Sequence, residues 1–233
     1  MLKKSLPIMI AALLFLWTIS VQAHEAHVGE IINTPTVTYK TAFTIDVPIE
    51  MWNRALDNPC LMGRLWETYE FKPSYAMTRT DTGIHVSDSL GITGDIRQIS
   101  QSARSRAFYA RGRFDHWAVP SFFTASGVVA FEYADRDGLS GEITIFLRGD
   151  NGISRFVMRL FSGILTRRIG NRVESQVENM QEIIRDIVND PQSIRSALTG
   201  QALDNFDRVF SAAETGPGGD QEVLSDLQRR MAR

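Results

Sequence analysis

Residues Gly152 to Asn189 carry one long apolar stripe of helical period, and they follow a run of hairpin-forming strands that contains no comparable helix. Ile153, Phe156, Val157, Leu160, Phe161, Ile164, Leu165, Ile169, Val173, Val177, Met180, Ile183, Ile184, Ile187 and Val188 recur three or four apart with polar residues between them, so the spacing predicts a single amphipathic helix. Asp150 or Asn151 can cap its start, Arg185 suits its last turns and Pro191 stops it. Gly163 and Gly170 interrupt the pattern, each costing up to about 1 kcal/mol relative to alanine. They mark either a bend or a place where sheet or ligand approaches the backbone. A long helix closing a β-meander implies a curved sheet with the helix laid across it, an arrangement able to enclose an apolar chamber.

The strands are read from alternation. Val37, Tyr39, Phe43, Ile45 and Val47 alternate with Thr36, Thr38, Lys40, Thr44 and Asp46, one face dry and the other wet. At Pro48 the period changes to helical, with Trp52 and Leu56 on one side; Asn58-Pro59 breaks that short helix, and Leu61, Met62, Leu65, Trp66 and Tyr69 stripe a second one. From Ser74 to Gly149 the pattern is a meander, with strands near 75–80, 84–89, 90–99, 105–116, 126–134 and 139–148. Asp81-Thr82-Gly83 and Asp135-Arg136-Asp137-Gly138 supply glycine at turns. Leu139, Ile143, Ile145 and Leu147 face inward on the last strand, and Phe108, Ala110, Gly112 and Phe114 are the preferred inner set on the 105–116 strand.

The start of the chain points to export. Lys3 and Lys4 precede an apolar stretch from about Pro7 to Val21, and Val21-Gln22-Ala23 suits signal-peptidase cleavage, so residues 1–23 read as a signal peptide and the mature chain as beginning at His24. The stretch is shorter than the roughly 20 apolar residues of a spanning helix. The expected location is the periplasm of a Gram-negative bacterium, or otherwise the exterior. A net charge of -2 offers no electrostatic footprint for nucleic acid. Cys60 is the single cysteine, excludes an internal disulfide, and reads as a small apolar residue rather than a nucleophile.

The segment Ile45-Asp46-Val47-Pro48-Ile49-Glu50-Met51-Trp52, leaving a first strand and entering a short helix, resembles the opening of the START-like superfamily of polyketide cyclases, Bet v 1-like allergens and lipid-transfer domains. The resemblance continues through two short helices, a meander and a long terminal helix over residues 36–191. It implies an α+β helix-grip fold, a curved antiparallel sheet wrapped around the long helix with an apolar cavity between them, and carriage of lipids, sterols, quinones or polyketides, with catalysis in a minority. It carries over no catalytic residue. Residues 24–35 form an N-terminal segment and 192–233 an extension, in which Ile194, Leu198, Leu203, Phe206, Val209 and Phe210 suggest a further amphipathic helix before the Gly216-Pro217-Gly218-Gly219 linker. That helix can pack on the domain, cover a cavity mouth, touch a membrane transiently or bind a protein partner.

Candidate ligand-lining residues are Trp52, Trp66, Tyr69, Phe108, Phe131, Ile143, Ile145, Phe156, Leu160, Phe161 and Gly163. A lipid chain there would gain about 0.8 kcal/mol per buried methylene. The alternative is that these aromatics are simply core. Arg79, His85, Arg97, Arg113 and His116 are the polar candidates, because a buried arginine holds a carboxylate or phosphate by paired hydrogen bonds and a histidine at a pocket mouth can act as a base. No cofactor or resident metal is called for; His24 and His27 offer only a short copper-type set at the mature terminus. Arg148-Gly149-Asp150 matches the adhesion tripeptide by chance, and there is no Walker loop, dinucleotide fingerprint, zinc motif or nucleophile elbow. The leading expectation is an exported carrier of a hydrophobic small molecule such as a lipid or isoprenoid. The alternatives are a cyclase or hydrolase acting on such a ligand, and an envelope scaffold.

Overall fold

The structure is a computed structural model that describes residues 27–114, 123–135 and 138–210. The proposed signal peptide, His24, His116 and the glycine-rich linker lie outside these residues. After a helical α1 over residues 27–33 come β1 (Val37–Ile45), α2 (Ile49–Asp57), α3 (Pro59–Thr68), β2 (Tyr75–Thr80), β3 (Gly83–Asp88), β4 (Ile92–Ser102), β5 (Ser105–Phe114), β6 (Thr124–Asp135) and β7 (Leu139–Gly149). Helices α4 (Gly152–Leu160), α5 (Ser162–Asn189), α6 (Pro191–Ala197) and α7 (Gln201–Phe210) complete the described chain.

The strands form one antiparallel sheet in the order β1-β7-β6-β5-β4-β3-β2. With the long helix, this is the helix-grip α+β fold that the resemblance implies. Register puts Tyr39, Ile145, Val129 and Phe108 in one row on the inner face, and Leu147, Gly127, Ala110, Ile96 and Ile84 in the next. The inner phase read for β5 is therefore the one adopted. Gly83 and Gly138 take φ of 154° and 110° at their hairpin turns, conformations in which a side chain is strained.

The single helix expected over Gly152–Asn189 is two. Asn151 caps α4 by accepting the Ser154 N–H at 2.8 Å, and the path breaks at Phe161, immediately ahead of Ser162-Gly163. Serine and glycine side by side are weak helix formers and a recognised place for a kink. Helix α5 crosses the gap between the two edges of the sheet. At one edge Gly170 receives the Tyr39 ring, which would stand 3.1 Å from an added Cβ. At the other, Arg172 reaches Asp88 and the Tyr75 hydroxyl.

The sealed part of the core lies where α2, α3, α5 and α7 meet one end of the sheet. Trp52, Leu65, Ile183 and Ile184 are completely buried there, with Phe206 of α7 at 1% exposure. Helices α6 and α7 thus pack into the same core as the sheet, and Arg54 donates to the Val209 carbonyl at 2.9 Å. The outer face of the sheet is partly covered by α1: Ile31 is fully buried, His27 meets the Tyr109 ring edge-on at 6.0 Å, and Arg148 binds Thr34 and Glu30.

Candidate functional site: an apolar concavity between sheet and helix

The inner face of the sheet is not uniformly sealed. Toward β1 and β7 Phe43, Ile45, Ile143 and Ile145 are buried, with Tyr39 and Leu147 half-buried beside them. Toward β3, β4, β5 and β6 its apolar side chains stay half-buried: Ile84, Val86, Ile96, Phe108, Val129 and Phe131 all keep some exposure although they point inward. The facing positions of α5, Ile169, Val177 and Met180, are half-buried too. Small residues line the floor, since Gly127, Ala110, Gly112 and Gly94 occupy neighbouring inner positions. A concave sheet with small residues on its floor and half-wet apolar walls is a surface that an apolar ligand can cover.

The residues singled out from sequence separate into four groups. Phe108 and Phe131 stand on this concavity, their rings edge-to-face at 6.0 Å. Trp52, Trp66, Ile143 and Ile145 are buried in the core beside it; the Trp66 indole donates to the Pro73 carbonyl at 3.0 Å, which fixes its ring. Phe156, Leu160 and Phe161 are 67%, 66% and 48% exposed, and an added Cβ at Gly163 would meet nothing within 4 Å. Tyr69 lies elsewhere again, half-buried, its hydroxyl donated to Asp186 at 2.7 Å. It lines a cavity of about 460 Å³ between the end of α3 and the α5–α6 corner, with Asp190, Ser193 and Ile194. Burial first, then the hydrogen bond to Asp186 and the charges of Asp186 and Glu182, push the Tyr69 hydroxyl far above its usual pKa.

The polar candidates among the described residues do not converge. Arg79 shares the inner face and is exposed at the β2 edge, whereas His85 and Arg113 belong to the outer face and are also exposed. His85 pairs with Asp95 at 2.9 Å. Arg97, also on the outer face, lies over the Tyr109 ring at 5.2 Å, and burial lowers its pKa. The Cys60 thiol is raised above its usual value, chiefly by burial, which suits an inert apolar role. Arg148 and Asp150 of the adhesion-like tripeptide are engaged internally, Asp150 accepting from Ser126 at 2.7 Å and Arg111 at 3.0 Å. Among the described residues no group of three or more histidine, cysteine or acidic side chains is placed to hold a metal.

Two buried ion pairs were not anticipated. Arg106, on the inner face of β5, is 4% exposed and grips Asp57 of α2 through Nε at 2.7 Å and Nη2 at 2.9 Å. That carboxylate raises the guanidinium pKa further. Asp88 is the second: its buried carboxylate accepts the N–H groups of Leu90 at 2.9 Å and Ile92 at 2.8 Å, and takes Arg172 from α5. Tyr75 and Gln176 join this cluster. Both pairs hold helices against the sheet, the first at the sealed end and the second beside the concavity. The signal for Arg106 was present, because the inner phase of Phe108 and Ala110 also turns Arg106 inward, where a charge requires a partner.

No protein-family model and no curated relative match the chain. Solved structures do resemble it in arrangement. The di-domain ARO/CYC BexL from the BE-7585A biosynthetic pathway is 12% identical, with a TM-score of 0.42 over 77% of this chain and 59% of its own, so this chain spans well under two thirds of that protein. A conserved protein from Geobacillus kaustophilus is 9% identical, with a TM-score of 0.45 over 65% and 97%. Ara h 8.0201 is 10% identical, with a TM-score of 0.38 over 65% and 96%. The strand order and helix positions of this chain are, by themselves, those of a helix-grip fold.

Proposed function

We propose that this protein is an exported carrier that binds a hydrophobic small molecule, a lipid or isoprenoid, in the concavity between β3–β6 and α5. The observation that carries the reading is the half-buried state of Ile84, Ile96, Phe108, Val129 and Phe131, inward-facing apolar side chains that the protein itself covers only in part. An apolar chain laid on them would gain about 25 cal/mol for each square ångström removed from water, offset by the cost of association. The basic and apolar start of the chain, ending in Val21-Gln22-Ala23, supports export.

The test combines extraction and occlusion. Native mass spectrometry of the protein purified without detergent should report a bound apolar molecule at fixed stoichiometry that solvent extraction removes. Enlarging the floor with Ala110→Phe should abolish that retention and weaken binding of the apolar dye anilinonaphthalene sulfonate by about tenfold or more, while the unfolding midpoint stays close to native. Equal retention by Ala110→Phe, or no bound molecule and no saturable dye binding in the native protein, would sink the proposal. N-terminal sequencing of the protein from an exporting host tests the leader: a chain beginning at His24 agrees with it, and one retaining Met1 contradicts it.

A further inference from the structure

Helix α4 carries more apolar surface than the sheet covers. Ser154 and Met158 turn inward and are buried, and the helix packs on β7. Ile153, Phe156 and Leu160, spaced three and four apart, stand on another side with 59%, 67% and 66% of their surface exposed. Phe161 at the break and Ile164 in the first turn of α5 prolong the stripe at 48% and 57%. Single exposed apolar residues are ordinary, but a run of large ones along one helix face is a mark of an interaction surface.

Charge identifies what the stripe faces. Between Asn151 and Val173 the chain holds Arg155, Arg159, Arg167, Arg168 and Arg172 and no acidic residue. Arg172 is taken by Asp88, while Arg159, Arg167 and Arg168 are exposed and Arg155 is half-buried. Acidic residues resume at Glu174, Glu178 and Glu182, so the α4–α5 unit is cationic where its apolar side chains are exposed and richer in acid further on, in a chain of net charge -2. A second copy would bring arginine against arginine. An anionic bilayer meets both halves of the pattern: guanidinium groups engage lipid phosphates, and the apolar side chains enter the boundary between headgroups and acyl chains.

The location agrees. The row Thr93, Arg113, Thr124 continues to Asp150, whose N–H donates to the Thr124 carbonyl, so α4 leaves the same end of the sheet at which Leu90 and Ile92 are 57% and 41% exposed. No helix among the described residues is long and apolar enough to cross a membrane, and α4 with nine residues is about 13 Å long, which fits a helix lying in the plane of the interface. The geometry points to α4 and the first turn of α5 as a docking surface for an anionic phospholipid bilayer. This surface stands on its own residues and does not depend on the concavity being occupied.

The test reads the stripe directly in the full chain. In a Cys60→Ser background, Leu160→Cys is labelled with an environment-sensitive nitrobenzoxadiazole dye, so that the signal reports position 160 whatever else in the chain touches lipid. Vesicles of phosphatidylcholine and phosphatidylglycerol in equal parts should shift its emission to the blue, and phosphatidylcholine alone should do so weakly. Adding Arg159→Glu with Arg167→Glu should weaken the anionic-vesicle response on the order of tenfold or more. The same dye at Glu178→Cys should stay in water. A label at 160 that stays in water on anionic vesicles overturns the proposal, as does one that responds equally to neutral vesicles. A blue shift without vesicles that grows with protein concentration also overturns it and assigns the stripe to pairing of copies. Ligand retention by the vesicle-free protein is a separate measurement, so either proposal can fail alone.

Discussion

Tyr69 is the side chain at which local chemistry speaks most directly about stability. Its hydroxyl donates to Asp186 across the α3–α5 contact, and burial together with the neighbouring carboxylates disfavours its ionised form. A folded-state pKa raised above the unfolded value means that the stabilisation is fully present below the ordinary tyrosine pKa of about 10 and is lost as pH climbs beyond it. Urea midpoints measured at increasing alkaline pH should therefore fall for the native protein. Tyr69→Phe should cost about 1 kcal/mol at neutral pH through the lost hydrogen bond and show a shallower alkaline decline. Tyr133, raised by burial as well, contributes to the slope that remains. Arg106 with Asp57 and Arg172 with Asp88 act at the same scale, each satisfying a charge that the fold has taken out of water.

At the scale of elements, the two glycines of α5 have opposite meanings. Gly163 lies in the first turn with open space where a Cβ would project, so Gly163→Ala should raise stability by about 0.5 kcal/mol, seen as a higher midpoint in chemical denaturation. Gly170 is buried under the Tyr39 ring. Gly170→Leu should lower stability by about 2 kcal/mol or more, because the large side chain must displace the ring that closes the helix on β1. The bend at Phe161 has a further consequence: it lets α4 pack on the end of β7 while α5 crosses the gap between the sheet edges.

At the scale of the molecule, the described part of the C-terminal extension is core. Ile194, Leu198, Phe206 and Phe210 are 7%, 6%, 1% and 5% exposed, in the cluster that holds Trp52 and Leu65. Burying each such side chain contributes about 1.5–3 kcal/mol, so their sum is comparable with the entire stability of an ordinary domain. A chain ending at Asp190 should be insoluble or lack a cooperative thermal transition, which differential scanning calorimetry against the full chain would reveal. A cooperative transition at the native temperature would instead mean that α6 and α7 add nothing to the fold. The described molecule thus has one end sealed by helices, half-buried apolar side chains on the inner face of β3–β6, and an exposed apolar stripe flanked by arginines on α4.

Much of this architecture is written in local periodicity. The alternation Val37, Tyr39, Phe43, Ile45, the turns at Gly83 and Gly138, and the stripes of α2, α3 and α5 each declare an element and its inner face, because a period of two or 3.6 follows from backbone geometry alone. The inner phase of β5 is legible in the same way, and so is the inward turn of Phe108. Apolar spacing marks a side chain as able to be buried, but it does not say what arrives to bury it. Trp52 and Phe156 look alike in sequence, yet one is sealed by α2, α3, α5 and α7 and the other is left bare. The break at Phe161, the pairing of Asp88 with Arg172 across 84 positions, and the division between filled and open interior depend on contacts between elements distant in the chain. Tertiary structure alone decided them, since burial is a property of neighbours in space and periodicity is a property of neighbours in sequence.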